Sequence, residues 1–111
     1  MPGVPELSPT EFAARWPNYA RGDGVVLLDV REHDELAIAA VAGALHIPMR
    51  EIPARVAELD PDKPLVVMCH SGGRSRRVAD FLLGNGFSNV FNLRGGIDAW
   101  STEIDPQVPR Y

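Results

Sequence analysis

At 111 residues the chain has room for one compact domain and not for two ordinary ones. Hydrophobic residues make up 45% of it and charged residues 23%, a globular rather than a disordered balance. A net charge of −4, from 11 basic and 15 acidic residues, argues against a general nucleic-acid or anionic-membrane binder.

No stretch approaches the roughly 18 consecutive apolar residues of a membrane span. Met1-Pro2-Gly3-Val4 lacks a basic segment followed by an apolar run, so no secretory leader is expected. One cysteine cannot close an internal disulfide and fits a reducing compartment, which makes the cytoplasm the expected location. His33, His46 and His70 show no paired ligand spacing with that cysteine, so neither a metal nor a cofactor is expected.

The first helix is predicted to start at Ser8-Pro9-Thr10-Glu11, where Ser8 caps, Pro9 suits the first turn and Glu11 completes a capping box. Phe12, Ala13 and Trp16 then form its apolar face. Pro17-Asn18 and Gly22-Asp23-Gly24 break the chain before Val25-Val26-Leu27-Leu28, a continuous apolar run of the kind that forms a strand covered on both faces. A short helix over 32–40 leads through Gly43 to a second apolar segment, Ala44-Leu45-His46-Ile47, stopped by Pro48.

Helical spacing of Ile52, Val56 and Leu59 predicts a helix over 50–59, with Pro53 tolerated in its first turn. A turn at 60–64 precedes Leu65-Val66-Val67-Met68, a strongly apolar strand that ends directly on Cys69. A helix is predicted from about Ser75 to Leu83, with Val78, Phe81 and Leu82 inward and Gly84-Asn85-Gly86 as its stop. Val90-Phe91-Asn92-Leu93 reads as the last strand, and Gly95-Gly96 opens a short helix holding Trp100. Residues 105–111 read as a loosely held end, leaving an ordered core at about 6–104. Strands alternating with helices imply right-handed crossovers and an α/β fold with a mainly parallel sheet.

The chemistry concentrates in Cys69-His70-Ser71-Gly72-Gly73-Arg74-Ser75, between a buried strand and a helix. That is the carboxyl end of a strand, the edge at which open parallel sheets bind ligands. Adjacent glycines let backbone N–H groups converge, and with the helix N-terminus they form an anion-binding nest around a cysteine whose thiolate is the nucleophilic form. Arg74, Arg76 and Arg77 crowd the first turns of that helix, where the dipole disfavours each cation by about 0.3–1 kcal/mol. Broken local rules of this kind are expected at functional sites, and the natural compensation is negative charge: a thiolate, a persulfide or an incoming oxyanion. The plainer readings are a buried inert thiol for Cys69, a solvated face for the arginines, and a His70 that points outward rather than tuning the thiol.

Leu28-Asp29-Val30-Arg31, Gly43-Ala44-Leu45-His46-Ile47-Pro48, Val67-Met68-Cys69 through Ser75, and Asn92-Leu93-Arg94-Gly95-Gly96-Ile97-Asp98-Ala99-Trp100 together give the chain its resemblance to the rhodanese homology domain family. The resemblance implies a single domain over 1–111, a three-layer α/β fold whose central, mainly parallel sheet is flanked by helices, and an active-site loop from Cys69 to Arg74. It also implies that Cys69 takes a sulfane sulfur from a small-molecule donor such as thiosulfate and passes it to cyanide, a thiol or a protein acceptor. Asp29 and Arg31 would then sit close to the loop, either as a structural ion pair or in contact with substrate. The family's frequent Gly-His-Ile-Pro-Gly-Ala is represented here only by Gly43-Ala44, at the end of Ala40-Val41-Ala42-Gly43-Ala44.

Two rival readings use the same cysteine. A phosphatase or arsenate reductase would set one residue more between Cys and Arg than the four that separate Cys69 from Arg74, and the tighter loop suits a single sulfur atom. A relay module would hand sulfur to a partner protein with little turnover on small molecules. A monomer or weak dimer is expected.

Overall fold

The computed structural model describes residues 3–21 and 24–111. Met1, Pro2, Gly22 and Asp23, on which the expected absence of a leader and one expected chain break partly rest, lie outside the described residues.

Among the described residues five strands build one sheet: β1 (Glu6–Leu7), β2 (Val26–Asp29), β3 (Leu45–His46), β4 (Leu65–Met68) and β5 (Val90–Leu93). Their order is β1-β5-β4-β2-β3, and every neighbouring pair is parallel. All four residues of β4 are buried, as expected of a central strand covered on both faces. The period-two alternation of a strand divides its neighbourhood. Val66 and Met68 join Leu27, Leu93, Phe12, Ile97 and Trp100 on one side, while Leu65, Val67 and Cys69 join Leu28, Ile52, Val78, Ala79 and Leu82 on the other.

Among the described residues five α-helices cover these faces: α1 (Pro9–Arg15), α2 (His33–Ile38), α3 (Ile52–Arg55), α4 (Gly73–Leu83) and α5 (Gly96–Glu103). Ser8 caps α1 with the predicted box, its Oγ accepting from Glu11 N at 3.1 Å while Glu11 Oε1 accepts from Ser8 N at 2.8 Å. Among the described residues no helix is long and apolar enough to cross a membrane.

Several expectations change. The two-residue strand β1 is not predicted from sequence; it docks on the edge strand β5, pairing Glu6 with Asn92 and Leu7 with Leu93. The helix expected over 50–59 is one α-turn between two 3₁₀ turns, Met49–Glu51 and Val56–Glu58; Pro53 sits in the first turn of the α segment, and its missing N–H keeps the turn before it from joining as one α-ladder. Helix α4 starts two residues earlier than expected and buries Ser75, Val78, Ala79 and Leu82, an i, i+3, i+4, i+7 stripe. Phe81 falls outside that stripe and is 36% exposed, beside Met49, Ile52 and Arg77.

Residues 105–111, expected to be loose, are tied back along α5. Ser101 Oγ donates to Val108 O at 2.6 Å, Val108 is buried, and Arg110 Nε meets Asp98 Oδ1 at 2.8 Å.

Candidate active site

Cys69 follows the last residue of β4 and is 1% exposed. Gly72 takes φ +111°, a conformation that favours glycine, and this turns its N–H back onto Cys69 Sγ at 3.1 Å. The next residue opens α4, so the sulfur sits at the N-terminus of an 11-residue helix, where anions are favoured. The first N–H groups of α5 close the loop from the other side: Ile97 N donates to Cys69 O at 2.9 Å and Asp98 N to His70 O at 3.1 Å. Gly96 permits that approach, since a Cβ there would collide with the carbonyls of Cys69 and His70.

A neutral chain of hydrogen bonds lies under the sulfur. Ser75 Oγ is 3.3 Å from Cys69 Sγ and 2.5 Å from Asn92 Oδ1. The Asn92 amide gives its two N–H groups to Glu6 Oε2 at 2.9 Å and Gly72 O at 3.1 Å, both acceptors, so its oxygen must accept from Ser75. Ser75 has one proton, and with that proton on Asn92 it presents a lone pair to the sulfur. A thiol S–H completes the contact as donor. A thiolate gains the hydroxyl only if the Ser75 proton leaves Asn92.

The far end of the loop is charged. Arg74 holds Glu35 of α2 through two bonds, 2.5 Å to Oε1 and 2.8 Å to Oε2. The Arg74 guanidinium, against the opposing effect of burial, holds the Glu35 carboxyl down at about 2. The same bond, opposed by burial, raises Arg74. The negative charge that meets Arg74 is a carboxylate of α2. Arg76 lies 4.0 Å from Glu6, and Arg77 lines the groove beside Phe81.

Asp29 and Arg31, 1% and 0% exposed, form an ion pair at 2.8 Å. All five Arg31 donors are engaged: Nε and one Nη2 proton on Asp29, the other on Ala39 O, and the Nη1 protons on Glu35 O and Tyr111 Oη. The alternative left open by sequence is thereby narrowed, since no Arg31 proton is free for a substrate. Burial works against the Arg31 charge, but the bonds from Asp29 and Tyr111 outweigh it and raise the group.

His70 neither bonds the sulfur nor points into open solvent; its ring stacks on Tyr111 at 4.0 Å and 7°. Ser71 and Gly73 are exposed on the rim. Glu6, Glu35, Asn92 and Tyr111 complete the site; none of them is read as a site residue from sequence, although an asparagine inside an apolar strand is a signal in itself. Among the described residues no group of three or more His, Cys, Asp and Glu is placed to hold a metal.

Comparison with known proteins gives the chain its family. A chloroplastic Rhodanese-like/PpiC domain-containing protein 12 of Arabidopsis thaliana is 41% identical over 97% of this chain, which spans only 38% of that protein. Thiosulfate sulfurtransferase GlpE of Pseudomonas syringae is 38% identical over 84% of this chain and 91% of its own. The putative sulfurtransferase YtwF of Bacillus subtilis is 37% identical over 92% and 98%. Among solved structures, a rhodanese-like domain protein of Staphylococcus aureus superposes with a TM-score of 0.80 at 25% identity, covering 97% of this chain and 99% of that one. Reduced Bacillus anthracis CoADR-RHD gives 0.81 at 30%, over 97% of this chain and 18% of the larger one. Residues 14–103 match the Rhodanese-like domain family, and the chain belongs to that family.

Proposed function

We propose that the chain is a sulfurtransferase that works as one domain, in the cytoplasm and without a cofactor, through a persulfide on Cys69. The Cys69 thiolate attacks the outer sulfur of a donor such as thiosulfate. The donor S–S bond breaks, sulfite leaves with its electron pair, and a new S–S bond stands on Cys69. A cyanide ion or an acceptor thiolate then attacks the outer sulfur, and the Cys69 thiolate leaves. Both steps are two-electron displacements of the thiol–disulfide kind and need no external oxidant or reductant.

The observation that carries this reading is the Gly72 N–H held 3.1 Å from Cys69 Sγ, in a loop closed around one sulfur atom. With the other N–H groups of residues 70–74 and the start of α4, it stabilises negative charge on the sulfur. Arg74, gripped by Glu35, keeps the loop closed. Evenly matched relatives named as sulfurtransferases support the same chemistry. Two other relatives carry the matched region inside longer chains, which favours a protein as one of the acceptors.

Intact mass after incubation with thiosulfate should show a gain of one sulfur, reversed by cyanide or a thiol and absent in Cys69→Ser. No adduct with any sulfane donor would overturn the proposal, and phosphate-ester hydrolysis without sulfur transfer would favour the phosphatase reading. Turnover of thiosulfate with cyanide, set beside transfer to a thioredoxin-like carrier, separates small-molecule from relay work.

A further inference from the structure

Cys69 poses a problem of access. The proposed chemistry requires both a donor and an acceptor to reach the sulfur, yet the residue is 1% exposed. The loop is clasped from below by Asn92 on Gly72 O, and from the side by the α5 N–H groups on the carbonyls of Cys69 and His70. Access must therefore come from a side of the loop that these bonds do not hold.

Tyr111 packs on the loop through His70 and, by way of Glu35, meets the partner of Arg74. Its ring stacks on His70, the residue after the nucleophile. Its hydroxyl accepts from Arg31 Nη1 at 2.9 Å and donates to Glu35 Oε2 at 2.7 Å. Donor and acceptor are fixed by chemistry, because a guanidinium only donates and a carboxylate only accepts. Glu35 is the carboxylate that grips Arg74, the last residue of the loop. One side chain thus reaches from the second residue of the loop to the anchor of its last. Residues 105–111 bring it there along a fixed path, through Val108 in the core and the Arg110–Asp98 pair. Tyr111 remains 37% exposed and lies outside the family match at 14–103.

We propose that Tyr111 is a specificity-determining residue, a displaceable wall across the mouth of the Cys69–Arg74 loop that admits slender sulfur donors and acceptors and holds off bulky ones. The sulfur-transfer part of this statement rests on the proposed function; the steric part rests on the position of the ring alone. Stacking on His70 is strong enough to keep the wall closed on average and weak enough to yield to a ligand.

The test compares N-methylmaleimide with a pyrene-bearing maleimide on Cys69, since the two share chemistry and differ in size. Tyr111→Ala should raise the bulky-to-small rate ratio about tenfold, the rate equivalent of an aromatic stack worth ~1.4 kcal/mol. Tyr111→Phe keeps the stack and should leave the ratio within about twofold of wild type. Arg110→Ala loosens the strap while sparing the ring, so it should move the ratio in the same direction, and it carries the test if Tyr111→Ala fails to fold. Equal ratios in wild type, Tyr111→Ala and Arg110→Ala would overturn the inference. Failure of wild type to take up sulfur would instead remove the sulfurtransferase reading and leave the maleimide ratio interpretable.

Discussion

On one flank of the loop, Cys69 Sγ rests on an uncharged pair, Ser75 and Asn92, backed by the single carboxylate of Glu6. On the other flank Asp29, Arg31, Glu35 and Arg74 form two ion pairs joined by the hydroxyl of Tyr111. The charged flank carries two cations and two anions paired with one another, and of these Arg74 also interacts with negative charge at Cys69. All five Arg31 donors and two of Arg74's are spent on protein acceptors, so what the flank chiefly supplies is shape. The neutral flank touches the reacting atom and controls where one proton resides. In this site charges hold geometry, while dipoles and hydroxyls act on the chemistry.

The comparison breaks first at the buried pair. Asp29→Ala would strand the fully buried Arg31 charge, a change that typically costs about 3–5 kcal/mol. Urea denaturation should show a loss of that size. A loss below about 1 kcal/mol would mean that the carbonyls of Glu35 and Ala39 and the Tyr111 hydroxyl satisfy the guanidinium unaided.

Glu35→Gln comes next. The pair with Arg74 is partly exposed and screened, so its removal should cost on the order of 1–3 kcal/mol. It also has a pH signature. The folded carboxyl titrates at about 2 against an ordinary 4.5, so its contribution is fully present above pH 4.5 and is lost as pH falls toward 2. Wild type and Glu35→Gln should therefore differ in stability at neutral pH and converge across that acid window. A constant gap down to pH 2 would show that Glu35 acts through packing rather than charge.

What sequence could show divides along the same line. Cys69, Gly72 and Arg74 lie in one run of chain, and the strand before and helix after them announce themselves by apolar periodicity, so loop and sheet edge are both legible. The partners are not. Glu35 lies 39 residues from Arg74 and Tyr111 lies 80 from Arg31, and nothing local in an acidic helix or a polar tail says which distant cation it will meet. Strand β1 escapes because two residues show no period, and its pairing is decided by the free edge of β5. Phe81 misleads for the opposite reason: it is apolar and near the right phase, but Ser75, Val78, Ala79 and Leu82 already fill the inner face of α4.

The smallest expected effect is the most diagnostic, because it changes sign. Asn92 Oδ1 takes the Ser75 proton in the resting site, so Asn92 competes with the thiolate for the same hydroxyl. Asn92→Leu, with the same heavy-atom branching, removes the competitor and frees Ser75 to donate to the sulfur. Ser75→Ala removes the donor altogether. A hydrogen bond to a charged group contributes about 1.5–3 kcal/mol, and part of that is offset by the bonds Asn92 leaves unmade at Glu6 and Gly72. Iodoacetamide alkylation of Cys69 at neutral pH should thus quicken by a few-fold (roughly 3–10) in Asn92→Leu and slow by a similar factor in Ser75→Ala. Changes in the same direction would mean that Asn92 acts by holding Gly72 and the loop, and that the Ser75 proton does not decide the reactivity of the sulfur.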